Sequence, residues 1–214
     1  MEQQTSRELI LNRIRRIAER RGDESAANVT YQQEEVYKTV GPDLLACFKQ
    51  ELEAVSGKCV VCSNEEDMYK QLAALVEKKE LPSLFSRDAG IIEKLCKAGI
   101  IVEERENNFI HQSAGITSCE LLVARTGSVL VNTAGNSGRQ MHVFPPIHIV
   151  LAKASQLVAY VGDALEAMQQ KYNEKLPSAI TIITGPSRTA DIEKTLVLGA
   201  HGPKELIIFV DQSQ

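Results

Sequence analysis

Tryptophan is absent from this 214-residue sequence, and aromatic residues of every kind make up only 5% of it. The stacking platforms used by single-strand nucleic-acid binders are therefore missing. Basic charge is not in excess either. The 24 Lys and Arg stand against 28 Asp and Glu, for a net charge of −4, so no phosphate-tracking surface is expected. No apolar run approaches the roughly 20 residues of a membrane-spanning helix, and Met1-Glu2-Gln3-Gln4 leads into no apolar signal core. These absences predict a cytoplasmic protein without a membrane span.

Signature motifs are missing as well. No G-x-G-x-x-G follows a strand, and there is no P-loop lysine motif, G-x-S-x-G elbow or H-E-x-x-H pair. Dinucleotide dehydrogenase, NTPase, serine hydrolase and zincin readings lose their support. The five cysteines are odd in number and scattered through apolar segments, the pattern of reduced, buried thiols. Cys59-Val60-Val61-Cys62 has C-x-x-C spacing but lies in a β-branched run. Residues three apart in a strand face opposite sides, so these thiols do not converge on a metal. No cysteine cluster suits an iron-sulfur centre. No metal and no cofactor are expected of the chain itself.

What the sequence does have is a 43% hydrophobic composition, enough for one sizeable core. Residues 5–21 place Ile10, Ile14 and Ile17 at helical spacing, and Gly22 to Gln33 is polar. The division expected is an N-terminal helical extension over 1–35 and an α/β domain over 36–214. The extension is expected to dock on its own domain or on a sister subunit, with a membrane surface or another protein as the alternative, which leaves a homo-oligomer open. Gly41-Pro42-Asp43 opens a helix reaching about Ser56, Lys58 to Cys62 is a strand, and Asn64 caps a helix bearing Met68, Leu72 and Leu75. A short strand at Leu84-Phe85, a helix capped by Asp88 and stopped by Gly99, and a strand from Ile100 follow.

Two successive strand-helix units predict parallel pairing. Leu121 to Ala124 and Val129 to Val131 flank a glycine bend, Arg125-Thr126-Gly127-Ser128, and predict an antiparallel hairpin. Ile147 to Leu151 and Gln156 to Val161 are further strands, and Asp163 with Glu166 has capping-box spacing. The fold class expected is a three-layer α/β domain with a mostly parallel mixed sheet.

Ala179 to Val210 reads as strand, turn, helix, strand. Gly185-Pro186 ends the first strand, Thr189 is placed to cap a helix that stops near Gly199, and Leu206 to Val210 is a second buried strand. Ligands gather where a strand gives way to a helix N-terminus, so Gly185, Ser187, Arg188 and Thr189 are candidates for holding a small anion. The plainer alternative makes Ser187 and Thr189 caps and Arg188 a solvated charge. His201 is either a partner for the helix C-terminus or an acid-base group. Between hairpin and next strand, Asn132 to His142 is small and polar: either a plain mobile connection, the reading the sequence slightly favours, or a binding loop with Arg139 and His142 able to meet an anion or a proton. Glu120, at the head of an apolar run, is a candidate acid-base carboxylate only if a partner raises its pKa.

The run ITGPSRTADIEKTLVLGAHGPKEL, with AGITSCELLVARTGSVLV at residues 114–131, resembles the LUD-domain family, in particular its lactate utilization protein C group. The second half of the chain carries the resemblance, and the first half shares only the element order. It implies a fold like that of the glucosamine-phosphate deaminase, ribose-phosphate isomerase and CoA-transferase superfamily. It also implies a part in oxidising L-lactate to pyruvate beside iron-sulfur partner proteins, which would bring the redox centres. Many relatives carry an acid where this chain has Arg125. The function expected is such a lactate-utilization component, with Thr126, Gly127 and Ser128 across a pocket from Ser187, Arg188 and Thr189. The alternatives are a stand-alone enzyme on a phosphorylated or CoA-linked acid, using Glu120 or His201, and a non-catalytic structural subunit.

Overall fold

Three acid or amide caps start three helices. Asp43 accepts the Ala46 amide at 2.9 Å and opens α1, Leu44–Ala54. Asn64 accepts the Asp67 amide at 2.9 Å and opens α2, Glu65–Lys78, whose first turn holds Glu65, Glu66 and Asp67. Asp88 accepts the Gly90 and Ile91 amides and opens α3, Ala89–Lys97. Each cap satisfies amides that have no partner within the helix. Asn64→Ala is expected to cost about 1 kcal/mol, read from urea unfolding midpoints at unchanged slope.

The computed structural model describes residues 39–103, 111–135, 137–173, 175–190 and 196–213, with residues 7, 8, 10–13 and 15. The chain divides into two units, Met1–Thr39 and Val40–Gln214. In the first, the described residues before Thr39 are helical; the rest of the helix expected over 5–21, and the polar stretch after it, fall outside them.

In the second unit, β1 (Lys58–Cys62), β2 (Leu84–Phe85), β3 (Val102–Glu103), β4 (Ala114–Ser118), β7 (Ile147–Lys153) and β12 (Glu205–Asp211) form one sheet in the order β1-β12-β7-β4-β2-β3. Every pairing in it is parallel. Alternate residues of its central strands serve opposite faces. Ile149, Leu151, Ile207 and Phe209 meet Met68, Leu72, Ile91 and Leu95 of α2 and α3, while Val150, Ala152, Leu206, Ile208 and Val210 meet Phe48 and Leu52 of α1. A sheet buried on both faces reads as continuous apolar runs, as β7 and β12 do, and each such side chain contributes about 1.5–3 kcal/mol by burial.

The expected hairpin is present. β5 (Leu121–Val123) pairs antiparallel with β6 (Ser128–Asn132), with Gly127 at φ +58° closing the bend. With β8 (Leu157–Val158) and β9 (Ile180–Ile183) it makes a second sheet, ordered β8-β5-β6-β9. Leu122, Val129 and Val131 of this sheet pack toward the large sheet beside α1. Val123 and Leu130 face Ala164 and Met168 of α4, Val161–Lys171. Helices on one face and α1 with the small sheet on the other give the three-layer, mostly parallel α/β architecture expected.

Two local expectations are corrected. The strand expected over Gln156–Val161 stops at Val158, and α4 starts at Val161. Asp163 sits within its first turn, where its carboxylate accepts the Tyr160 amide at 2.9 Å instead of capping from outside. The helix expected from Thr189 to Gly199 is replaced, at its described ends, by β10 (Arg188–Ala190) paired antiparallel with β11 (Leu196–Leu198). Residues 191–195 lie outside the described set. The Ser187 amide donates to the Pro203 carbonyl at 2.8 Å and the Gly199 amide to the Ser187 carbonyl at 3.0 Å. Gly199, at φ +77°, thus closes a strand pair. Thr189 and its partner Val197 are β-branched, and paired backbone outweighs the cap signal of Thr189.

Candidate functional site

The turn after β9 lies against the carboxyl end of α1. A Cβ on Gly185 (φ +75°) would come within 2.6 Å of the Val55 carbonyl oxygen, so only glycine allows this approach. Arg188 Nη2 donates to that same carbonyl at 2.7 Å and to the Ser56 hydroxyl. A guanidinium at a helix carboxyl end satisfies a free carbonyl and complements the dipole, for roughly 0.3–1 kcal/mol. The bend of the 121–132 hairpin reaches the same helix end. A Cβ on Gly127 would lie 2.5 Å from Glu51 C and 2.6 Å from Leu52 Cα. Ser128, 1% exposed, hydrogen bonds through its hydroxyl to Thr126 and to Thr184, each at 2.7 Å.

These contacts bound a cavity of about 500 Å³ lined by Val55, His142, Val143, Thr181, Ile182, Ile183, Thr184, Gly185, Pro186, Ser187, Arg188, His201, Gly202 and Pro203. It therefore gathers Gly185, Ser187, Arg188, His142 and His201 from three separated stretches of sequence. Thr126, Gly127 and Ser128 form its backing through Thr184 and do not line it. Thr189 also stands outside the lining, in β10. Arg139 points elsewhere, donating through Nη2 to the Ser178 hydroxyl at 3.1 Å. Glu120 belongs to a different network: its carboxylate takes Lys171 of α4 as an ion pair and the Tyr172 hydroxyl at 3.0 Å, and Asn132 Nδ2 donates to Tyr172 at 3.0 Å. The Glu120 bond raises the Lys171 pKa.

The cavity sits beside the amino ends of β7 and β12, since His142 precedes the first and Gly202-Pro203 the second. Among the described residues no helix begins at Thr189, which lies in β10, so the side chains of the lining carry the positive potential of the cavity. The lining is suited to supplying it, with one guanidinium, the hydroxyls of Ser187, Thr181 and Thr184, two imidazoles and no carboxylate among the described residues. Two other concavities differ. A cleft of about 340 Å³ at the carboxyl ends of β4, β7 and β12 includes Glu65, Asp88 and Asp211, and one of about 580 Å³ between α2 and α3 includes Glu65 and Glu66.

Sequence reasoning missed what stands behind His142. His142 ends a short 3-10 turn, Gln140–His142, held down because Met141 and Pro145 pack over Gly115. Its ring lies 5.6 Å, centroid to centroid, from that of His148 in β7, tilted by 52°. His148 is fully buried, and its Nε2 meets the Thr117 hydroxyl of β4 at 2.9 Å. Burial, with the neighbouring His142 a smaller cause, pushes its pKa down to about 3, and burial also lowers that of His142. The signal in the sequence was a lone histidine inside the apolar run Ile147 to Leu151.

The remaining thiols are quiet. Burial pushes Cys59 and Cys62 up to about 11 and Cys119 up to about 12, so all three stay protonated and unreactive at neutral pH. Among the described residues no three His, Cys, Asp or Glu side chains cluster as metal ligands, and no helix is long and apolar enough to cross a membrane.

An α/β domain, with a wholly parallel six-stranded sheet and an antiparallel hairpin docked on one face, is the class these features define. A solved structure of a DUF162 family protein from Deinococcus radiodurans shares this fold, with a TM-score of 0.61 and 17% identity over 81% of this chain and 99% of the other. The family model for the LUD domain matches residues 45–210, and the chain belongs to the LUD-domain family. It is 39% identical over 99 residues to lactate utilization protein C of Shouchella clausii, covering 45% of this chain and 43% of that protein. With lactate utilization protein C of Geobacillus thermodenitrificans it shares 26% identity over 175 residues, 81% of this chain and 70% of that one. Several of the curated matches thus span less than half of the relative's own length.

Proposed function

We propose that the chain is a lactate utilization protein C-like component of L-lactate oxidation to pyruvate. It binds a small anionic ligand in the cavity at Arg188 and acts with iron-sulfur proteins that carry the electrons. Family membership and the names of the relatives support the pathway. The lining of the cavity supports the ligand class: a guanidinium and hydroxyls, with no carboxylate opposing them among the described residues, favour a carboxylate or phosphate over a cation. Among the described residues, α1 and its cap hold Arg188 through Nη2, so its Nε and Nη1 hydrogens are left for a ligand, and a pre-fixed side chain loses little entropy on binding.

Isothermal titration with L-lactate, pyruvate and inorganic phosphate tests this. At least one is expected to bind, and Ser187→Ala is expected to weaken it about 10- to 150-fold, as the loss of one hydrogen bond to a charged group does. Arg188→Ala is expected to weaken it more. Equal binding by wild type and both variants would place the ligand elsewhere. Growth of a deletion strain on L-lactate, rescued by wild type and not by Arg188→Ala, tests the pathway.

A further inference from the structure

Both ring nitrogens of His142 are buried and have no hydrogen-bond partner among the described residues, although the residue, 6% exposed, lines the cavity. Buried polar atoms in folded proteins are nearly always paired, because an orphan forfeits its bonds to water without replacement. The surrounding side chains offer His142 no remedy. The neighbouring ring, His148, turns Nε2 to Thr117 and leaves its own Nδ1 unpartnered. A metal would need further donors, and among the described residues no third His, Cys, Asp or Glu joins the two rings. Apart from a buried water, the partner left for it among the described residues is a ligand atom entering from the cavity that His142 lines.

The partner that fits is an uncharged oxygen. Burial beside Met141 and His148 disfavours an imidazolium, so His142 offers one N–H and one lone pair. A second carboxylate or a phosphate would bury its charge against a neutral ring, which is costly. A hydroxyl can donate to the lone pair, and an oxo group can accept the N–H. We propose that His142 is the specificity-determining residue of the cavity, reading an uncharged hydroxyl or oxo oxygen on a ligand whose carboxylate lies toward Arg188 and Ser187. The ligand class is then a hydroxy- or oxo-acid, in preference to a plain fatty acid or a phosphate ester. This rests on the anion-site reading above and deepens it.

The test compares L-lactate, pyruvate and propionate, which share a carboxylate and differ at one oxygen, on wild type, His142→Leu and His142→Asn. Wild type is expected to bind lactate or pyruvate at least ~10-fold more tightly than propionate, as one hydrogen bond to a buried group allows. His142→Leu is expected to reduce that ratio to below about 3, and His142→Asn to restore part of it. A ratio that survives in His142→Leu overturns the assignment. Should that variant not fold, the ring nitrogen resonances of His142 in wild type decide: they shift on saturation with lactate and not with propionate, and equal responses overturn the proposal. If none of the three acids binds wild type, the hydroxy- or oxo-acid assignment is overturned, and the phosphate titration above then decides separately whether the anion-site reading fails with it.

Discussion

His148→Gln is expected to flatten the acid limb of the stability curve, the part of it lying between about pH 6.5 and 4.5. In the folded protein His148 takes a proton only near pH 3, against 6.5 for a free imidazole. Below pH 6.5 the unfolded chain therefore binds a proton that the native state refuses, and stability falls with falling pH. The full window, 6.5 to 3, spans 3.5 units, worth about 5 kcal/mol at roughly 1.36 kcal/mol per unit. Carboxylates complicate its lower half. Glu205, held down by hydrogen bonds from Lys79 and Lys58, contributes stability that is lost as pH drops below its ordinary value of 4.5. Above that value the histidines act alone among these groups, and about 2–3 kcal/mol of the loss falls there. Glutamine keeps a partner for the Thr117 hydroxyl without a titrating ring. Urea midpoints at about pH 7.0, 5.5 and 4.5 measure the slope. The variant retains only the smaller contribution of His142, whose pKa is lowered in the same sense. A wild type with no slope in this window, or a variant as steep as wild type, would contradict the assignment.

The sequence was legible wherever a local rule decided the outcome. Asp43, Asn64 and Asp88 announced their helices because each cap acts within three residues of itself. Gly127 announced its bend because only glycine takes φ +58° without strain. Cys59 and Cys62 read as structural thiols because strand geometry separates them.

What the sequence hid depended on distant partners. Ser187 pairs with Pro203 and Gly199, and nothing near Thr189 tells a helix start from a strand whose complement, Val197, lies farther along the chain. Arg188 was readable as a free positive charge, yet the carbonyl it meets belongs to Val55, 133 residues earlier. Glu120 could be picked out as a carboxylate at a strand end, but Lys171 and Tyr172, supplied by α4 and its cap, are what engage it. His148 looked like any strand residue until Thr117 and His142 stood beside it. Sites assembled from several separate elements leave only single-residue traces in the chain.

Gly127→Ala should be among the most damaging single-methyl additions to this protein, and its effect should reach the cavity. The new Cβ would meet α1 backbone: Glu51 C at 2.5 Å, Leu52 Cα at 2.6 Å, and the Leu52 amide nitrogen closer still. A flexible side chain could swing aside, but a helix backbone cannot. The left-handed φ adds about 1–2 kcal/mol for any residue with a Cβ, and overpacking adds about 1–3 kcal/mol. The sum, roughly 2–5 kcal/mol, is a large share of the roughly 5–15 kcal/mol that holds an ordinary domain together. Relief comes only by lifting the bend off α1, and Ser128 would move with it, straining the 2.7 Å bond to Thr184 that backs the cavity. Gly135→Ala is the control: a Cβ there meets nothing within 4 Å, and the change should stay within about 0.5 kcal/mol. Thermal melts of the two variants should therefore separate by several degrees, and Gly127→Ala should also lose ligand affinity at temperatures where it remains folded. Coincident melts would mean that the bend does not bear on the helix end, and the link from hairpin to cavity would go with it.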